Sequence, residues 1–376
     1  MKVYFDNAAT TQLDSSVIKV MTDVLTNNYA NPSSTHEGGR QSKTIIENAR
    51  KKISSFLNTS PGNIFFTSGG TEADNMAIKC GILDNKIKHA VTSKLSHHAV
   101  LYPLEDLEKK GLITLSYVDF DSNGYIDTKH LEKLLSNNSR TFVSIMHANN
   151  EIATIQPINK IGDICKNYNA IFHSDTVQTI GHYDFDMQDL NIDFLVASAH
   201  KFHGPKGIGF IYISENITIN PFILGGSQER NMRAGTENIH SIAGLVKALE
   251  LSYEFMDRDI IYIKSLKNHM INQLKEKIPG ISFIGDSNNI EKSLFKILSV
   301  SFPQNAISEM LLFQLDIMGI SCSGGSACSS GSEQGSHVIS SLLPDNINTV
   351  VRFSFSKFNT IEEVNYTIKK LVEIFS

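Results

Sequence analysis

The sequence has few cysteines, no long apolar run and no marked excess of charge of either sign. Four cysteines are scattered over 376 residues, and so few in a chain of this length argue against a disulfide-stapled secreted protein. No apolar run approaches the roughly 18 residues that a membrane-spanning helix needs. The net charge is −5, from 34 basic and 39 acidic residues, which gives no general attraction for nucleic acid or anionic membranes.

These absences favour a cytoplasmic protein that binds neither a membrane nor, directly, nucleic acid. The first residues, Met-Lys-Val-Tyr-Phe-Asp-Asn, turn polar at once and contain no hydrophobic segment of a signal peptide. At roughly 150 residues per domain, the length predicts two or three domains. With 41% hydrophobic and 19% charged residues, the composition is that of an ordinary globular protein.

Short apolar, β-branched runs alternate with amphipathic stretches over the first 213 residues. This alternation predicts an α/β fold, with a mostly parallel seven-stranded sheet flanked by helices. The predicted strands are Asn63–Ser68, His89–Ser93, Ile113–Val118, Thr141–Met146, Ala170–Ser174, Asp193–Ala197 and Ile208–Ile213. In such sheets, ligands bind beyond the carboxyl ends of the strands.

A smaller α+β region is predicted at the carboxyl-terminal end. A long helical pattern runs from Ile239 to Lys277 and ends at Pro279-Gly280. Two strands, a helix, a further strand and a last helix follow it. We predict the domain boundary near residue 255, with residues 15–255 as the large domain and residues 1–14 and 256–376 as the small one.

Residues 321–336 are compositionally biased. The segment SCSGGSACSSGSEQGS has Ser or Gly at 11 of 16 positions, which disfavours regular structure and predicts a mobile loop. An ordinary flexible surface loop is one interpretation. The two cysteines within it, Cys322 and Cys328, favour another, because an exposed flexible thiol is reactive. Their C-x5-C spacing is a poor zinc signature, so no metal site is predicted.

The segment SGGTEADN, from Ser68 to Asn75, follows a predicted strand directly. Gly69 and Gly70 allow close backbone approach, Thr71 offers a hydroxyl, and the start of a helix there suits a phosphate. The alternative is an ordinary strand-to-helix turn. The segment is neither a Walker A motif nor GxGxxG, which disfavours a nicotinamide dinucleotide.

Two further strand ends have ionisable side chains that could bind a ligand or react with it. Asp175 ends the strand in IFHSDTVQTIGH, where a carboxylate is either a structural partner or the partner of a cationic nitrogen. Lys201 follows a buried strand in SAHKFHGPKG, where desolvation would favour the neutral amine that forms Schiff bases. A phosphate cradle, an acid and such a lysine together indicate pyridoxal 5'-phosphate, which needs all three.

Seven stretches of the sequence resemble the cysteine desulfurases of the NifS/IscS-like type. These enzymes belong to the class V aminotransferase group of fold-type I pyridoxal-phosphate enzymes. The resemblance extends from FDNAATT to Arg352 and beyond. The stretches that carry it are SGGTEADN, MHANNEIATIQPI, HSDTVQTIGH, SAHKFHGPKGIG, RAGTEN, GSACSSGS and VRFSFSKF.

The resemblance implies a role for each matching residue. Lys201 would form the Schiff base and move the substrate Cα proton, and His97 would stack on the ring and assist proton transfer. His98 competes for that role, because Ser96 stands where the family has an acid before its histidine. The implied cofactor contacts are Gly70, Thr71, Ser198 and His200 for the phosphate, Asp175 for the pyridine nitrogen, Gln178 for the ring hydroxyl, and Thr236 for the phosphate of the partner subunit.

The resemblance also implies the reaction. Asn150 and Arg352 would hold the carboxylate of L-cysteine, and Cys328 would take its sulfur as a persulfide, leaving L-alanine. It implies a homodimer that donates sulfur for iron–sulfur cluster assembly, through a scaffold protein, or for tRNA thiolation. A selenocysteine lyase, another class V lyase or aminotransferase, and a non-catalytic scaffold remain alternatives. Cys322 has no implied role.

Overall fold

The computed structural model describes residues 1–138, 140–304, 310–324 and 335–375. Seven strands form a large mixed sheet in the order β2-β8-β7-β6-β5-β3-β4. The strands from β3 to β7 run parallel, and β8 is antiparallel to both of its neighbours. They are β2 Ile64–Thr67, β3 His89–Thr92, β4 Thr114–Tyr117, β5 Thr141–Ser144, β6 Ile171–Asp175, β7 Phe194–Ser198 and β8 Gly209–Ile213.

Helices cover both faces of this sheet, which explains why most of its strands are apolar at successive positions. Along β7, Leu195 and Ala197 pack into one hydrophobic cluster, whereas Phe194 and Val196 pack into another on the opposite face. The helices of this part are α1 Ser15–Asn27, α2 Glu37–Phe56, α3 Gly70–Leu83, α4 His98–Lys109, α5 Thr128–Ser136, α6 Ile158–Asn167 and α7 Ile239–Glu254. The predicted α/β fold with a mostly parallel seven-stranded sheet is confirmed.

A three-stranded antiparallel sheet, in the order β12-β10-β9, lies in the carboxyl-terminal part. The first strand of the chain, β1, pairs in parallel with β11, and Val3 and Phe5 join the hydrophobic cluster of this part. Its elements are α8 Met256–Lys277, β9 Ser282–Phe283, β10 Ile297–Phe302, α9 Leu311–Ile317, β11 Ile320–Ser321, α10 His337–Leu342, β12 Thr349–Ser354 and α11 Ile361–Phe375, and β1 spans Val3–Tyr4. The division into domains at residue 255 stays a prediction.

The expectation of one continuous helix from Ile239 to Lys277 is wrong. The chain leaves helical geometry at Phe255, with φ −112° and ψ 14°, and α8 begins at the next residue without a side-chain cap. Neither Gly, Pro nor an Asx cap marks this break in the sequence, so the apolar periodicity alone could not reveal it. Within the residues described, no helix has the length and apolar character needed to cross a bilayer.

Lys267 is a buried lysine on α8, fully covered by the cluster of the carboxyl-terminal part. Its Nζ donates to Ser293 Oγ at 2.7 Å and to the Leu294 carbonyl at 3.1 Å. Burial, with a smaller contribution from the charge of Lys264, lowers the pKa of Lys267 to about 7. The amine is therefore largely neutral in the folded protein at mildly alkaline pH, while an unfolded lysine keeps its proton up to about pH 10.

We expect Lys267→Met to raise the free energy of unfolding by about 1–3 kcal/mol near pH 8, because it removes an unfavourable desolvation at the loss of two hydrogen bonds. Between about pH 7 and pH 10 the unfolded state binds the extra proton, so wild-type stability rises with pH in this window and the variant loses that rise. Urea unfolding of both proteins at about pH 7 and at about pH 10 measures this change in the free energy of unfolding. Lys277→Met, which removes an exposed lysine at the end of the same helix, is the control; an unchanged pH slope in Lys267→Met would contradict the prediction.

Candidate active site

A cavity of about 170 Å³ opens where several strands of the large sheet end. Its walls come from the loops after β2, β3, β5, β6 and β7, from the amino-terminal segment and from β12. The fifteen lining residues are Ala8, Ala9, Gly70, Thr71, Asp74, His97, Met146, Asn150, Asp175, Val177, Gln178, Ser198, His200, Lys201 and Arg352. Ten of them are residues to which the sequence analysis assigns a role, and the fold brings these ten together.

The amino terminus of α3 forms one end of the cavity. Gly69 has φ +150°, which L side chains rarely adopt. A Cβ on Gly70 would lie 2.7 Å from Val177 Cγ2, so only glycine fits there without a shift. No side chain caps the helix, and its first backbone N–H groups have no intrahelical partners. This end of the cavity therefore suits an anion such as a phosphate.

Asp175 lies at the end of β6 and is 6% exposed. Burial raises the pKa of its carboxyl, whereas the Val177 N–H, donating at 2.9 Å, and the charge of Lys201 lower it. Gln178, in the following turn, donates through Nε2 to the Ala8 carbonyl at 3.0 Å. Its buried Oε1 has no partner among the described residues, so both side chains can still bind a polar ligand.

Lys201 ends the 3-10 turn Ala199–Lys201, directly after β7. Its Nζ donates to the carbonyl oxygens of Ala8 and Ala9 at 2.6 and 2.8 Å. The amino-terminal segment therefore holds the amine at the wall of the cavity. His200 also lines the cavity, and burial, with the charge of Lys201, lowers its pKa to about 3.

Of the two adjacent histidines, His97 lines the cavity and His98 is not among the lining residues. His97 caps α4, where its Nδ1 accepts from the Ala99 N–H at 3.1 Å. Burial, followed by the charge of Lys201, lowers the pKa of His97 to about 4, so the ring is neutral. His98 stacks instead on Tyr102, with ring centroids 4.5 Å apart.

Arg352 enters the cavity from β12, a strand of the other sheet. Its Nη1 donates to the Asn150 carbonyl and its Nη2 to Asp6 Oδ1, each at 2.8 Å. The buried Nε has no partner within the described part of the chain. The guanidinium is thus fixed in position with a donor remaining, an arrangement that suits a carboxylate.

Two predicted site residues lie elsewhere. Thr236 is exposed and is not among the residues that line the cavity. Cys328 lies outside the described residues, as does most of the predicted loop 321–336. The ends of that loop are ordered into neighbouring elements: Ser321 belongs to β11, and the Ser336 hydroxyl accepts from the Ile339 N–H to cap α10.

Five cavity residues had no predicted role: Ala8, Ala9, Asp74, Met146 and Val177. For Asp74 a signal was available, because it stands three residues after Thr71 in the same predicted phosphate motif. The two alanines belong to FDNAATT, whose backbone carbonyls carry no signal in sequence. Among the described residues, no group of three or more His, Cys, Asp or Glu side chains is arranged to hold a metal ion.

Comparison with known proteins identifies the family. The aminotransferase class-V profile matches residues 3–367. The chain belongs to the aminotransferase class-V family. Within this family it is 43% identical to the cysteine desulfurase IscS of Dictyoglomus turgidum over 378 residues, which cover 99% of this chain and 94% of that one. It is 41% identical to the IscS of Methanosarcina thermophila, over 99% of this chain and 91% of that one.

Several solved structures share the whole fold of this chain. A NifS-like protein, 36% identical, matches with a TM-score of 0.90 over 100% of this chain and 99% of its own. An apo cysteine desulfurase from Thermococcus onnurineus NA1, 26% identical, matches with a TM-score of 0.88 over 100% and 94%. A protein named SspA, solved in complex with cysteine and 28% identical, matches with a TM-score of 0.82 over 96% and 100%.

Proposed function

We propose that this chain is a cysteine desulfurase that converts L-cysteine to L-alanine with pyridoxal 5'-phosphate. One observation carries the proposal: Lys201, Asp175 and the uncapped amino terminus of α3 face the same cavity. A lysine amine, a carboxylate and a phosphate cradle are what this cofactor needs. The relatives named cysteine desulfurase, similar over nearly the full length, support the choice of substrate.

The residues present fit the cofactor. The backbone of Gly70 and Thr71, with Ser198 and His200, would hold its phosphate, and the buried Oε1 of Gln178, which has no partner among the described residues, supports a contact with the ring hydroxyl. Asp175 would pair with the pyridine nitrogen. When bound, the cofactor supplies a ring that withdraws electrons from the substrate Cα. Thr236, exposed on one subunit, would complete the phosphate site of its partner in a homodimer.

The side chains around the cavity then have distinct tasks. Lys201 would anchor the cofactor through its amine and would carry the Cα proton of the substrate. His97, neutral and at the cavity wall, would contact the ring and assist that proton transfer. Arg352 and Asn150 hold the substrate carboxylate. Arginine suits this task because its planar fork binds a carboxylate through two parallel hydrogen bonds.

Cys328 takes the sulfur in this proposal. Its thiolate attacks Sγ of the substrate, the Cβ–Sγ bond breaks, and the electron pair of that bond is protonated to give the methyl group of alanine. The enzyme thiol becomes a persulfide, so that R–SH and cysteine give R–S–SH and alanine, with atoms and electrons balanced. A reduced compartment such as the cytoplasm keeps Cys328 available as a thiol.

The acceptor of the persulfide sulfur is proposed to be a scaffold protein for iron–sulfur cluster assembly, with a tRNA-thiolation enzyme as the second candidate. Sulfur transfer from persulfidated enzyme to each purified candidate ranks them.

The reaction itself is tested by incubating the yellow holoenzyme with L-cysteine and a thiol reductant and measuring alanine and sulfide in equal amounts. A colourless protein that gains no absorbance with pyridoxal phosphate would instead support a non-catalytic scaffold.

Arg352→Gln is expected to raise KM for L-cysteine by about 30- to 100-fold, the loss of a charge-assisted carboxylate contact. The change in kcat should be smaller, because the carboxylate is bound throughout the reaction. Steady-state alanine formation measures both constants, and the cofactor absorbance checks that the site is intact. Arg258→Gln removes an exposed arginine paired with Asp259 and serves as control. An unchanged KM in Arg352→Gln would refute the carboxylate assignment.

A further inference from the structure

Asp74 and His173 form a buried pair at the base of the cavity. Asp74, in the second turn of α3, is 1% exposed and lines the cavity. Its Oδ1 lies 3.2 Å from Nε2 of His173, which is 0% exposed and stands two residues before Asp175 on β6. In the part of the chain that the structure describes, no lysine or arginine forms an ion pair with Asp74. A charge on this carboxyl would therefore be uncompensated.

His173 is the neutral group next to Asp74, and neither Asp74 Oδ1 nor His173 Nε2 has a hydrogen-bond partner among the described residues. Burial lowers the pKa of His173 to about 3, so its ring has one N–H donor and one acceptor nitrogen at neutral pH. Nδ1 lies 2.8 Å from Ser144 Oγ on the neighbouring strand β5. No hydrogen bond joins His173 Nε2 to Asp74 Oδ1, so a charge on this buried oxygen would have, within the described part of the chain, neither a donor nor a cation to stabilise it. A protonated, neutral carboxyl avoids that cost.

Two carboxyls so close to one cavity compete for ionisation. Burial raises the pKa of Asp74 well above its ordinary value, and the negative charge of Asp175 raises it further. Asp175 has stabilising contacts that Asp74 lacks, namely the Val177 N–H and the charge of Lys201. The proton is therefore held on Asp74, and Asp175 is the carboxyl that ionises when a cation binds.

We propose that Asp74 is a positioning residue: it stays protonated and leaves Asp175 as the single carboxylate that would pair with the cofactor. The inference rests on the proposed function, since Asp175 needs its charge only to pair with a protonated pyridine nitrogen. An ionised Asp74 would offer that nitrogen a second anion and would repel Asp175. Asp74 thus acts through Asp175.

Infrared spectroscopy of the holoenzyme locates the proton directly. A buried, protonated carboxylic acid has a C=O stretching band separate from the bands of ionised carboxylates. The wild-type minus Asp74→Asn difference spectrum should contain this band, and the wild-type minus Asp175→Asn spectrum should lack it. Asp193 and Glu151, whose pKa burial also raises, contribute equally to all spectra and cancel.

Glu72→Gln is the matched control on the same helix. Burial alone would raise the pKa of Glu72, but hydrogen bonds from Arg233 and Ser68 hold it below its ordinary value, so this substitution should remove no acid band. In His173→Leu the Asp74 band should persist, because no hydrogen bond to His173 holds the proton on this carboxyl. Retention of the band in Asp74→Asn, or its loss in Asp175→Asn, would overturn the proposal.

Cofactor affinity gives a second readout. Asp74→Asn keeps the size and the neutral charge of the side chain, so the dissociation constant of pyridoxal phosphate should change by less than about threefold. A change in the dissociation constant beyond about tenfold would indicate that the substitution had removed a charge. A tenfold change in an equilibrium constant corresponds to a shift of one pKa unit. A protein that binds no pyridoxal phosphate would refute the proposed function, whereas the infrared band of the unloaded protein would still report whether Asp74 holds a proton.

Discussion

Lys201→Ala is expected to bind pyridoxal phosphate only without a covalent bond and to lose at least about 10⁴-fold in alanine formation from L-cysteine. The expected loss is large because, in the proposed function, one amine both anchors the cofactor and carries the Cα proton. In the structure this amine is held at the cavity wall by the Ala8 and Ala9 carbonyls, and removing the side chain leaves the sheet and the phosphate cradle in place. Folding should therefore be unaffected.

Borohydride reduction followed by mass spectrometry distinguishes the covalent from the noncovalent form. Wild-type protein should retain the reduced cofactor on the peptide that contains Lys201, and Lys201→Ala should retain none. Lys206→Ala is the matched control, since Lys206 is exposed, lies five residues downstream and is absent from the cavity wall. Covalent retention in Lys201→Ala, or its loss in Lys206→Ala, would disprove the assignment of Lys201.

Cys328→Ser is expected to keep the cofactor absorbance and to lose at least about 10³-fold in alanine formation, because a serine hydroxyl cannot accept sulfur. The chain supplies an unusually close control in Cys322, six residues earlier. Burial, followed by the negative charge of Asp6, raises the pKa of the Cys322 thiol to about 12. Cys322 is thus a protonated, weakly nucleophilic thiol packed against the carboxyl-terminal cluster, and Cys322→Ser should retain turnover within about threefold.

Assays with L-cysteine and with L-selenocysteine distinguish the remaining interpretations. If Cys328→Ser still released alanine from L-cysteine at the wild-type rate, Cys328 would not be the sulfur acceptor. If it lost activity on L-cysteine but kept it on L-selenocysteine, selenium release would proceed without the thiol, as expected for a better leaving group. Measuring both substrates with wild type, Cys328→Ser and Cys322→Ser therefore tests the acceptor and the preference for sulfur in one series.

Local patterns predicted the large sheet well, because its strands are buried on both faces and read as short apolar runs. The same kind of reasoning failed at Phe255, where the helix breaks without Gly, Pro or a cap. It also placed Ser321 in a mobile loop, whereas this residue pairs with β1 as part of β11. The error at Ser321 arises because pairing with a distant segment, β1, decides its backbone path, and no neighbouring residue records that pairing.

In the candidate site, too, the sequence predicted some features and only the tertiary structure decided others. Ten predicted residues converge on one cavity because the carboxyl ends of parallel strands meet at a single edge of the sheet, a rule that sequence order alone can exploit. Sequence order could not decide between His97 and His98. Both stand at the start of α4, and only the direction of each side chain separates a cavity residue from one that stacks on Tyr102.

The sequence by itself determined the α/β class, the chemistry-bearing strand ends and the resemblance to cysteine desulfurases, since these depend on short-range periodicity and on motifs a few residues long. Only the tertiary structure decided that Arg352 reaches the cavity from another sheet, that Asp74 faces His173, and that the Ala8 and Ala9 carbonyls hold Lys201. Those contacts join residues separated by 99 to 202 positions. Their geometry follows from how helices and sheets pack, which sequence spacing does not encode.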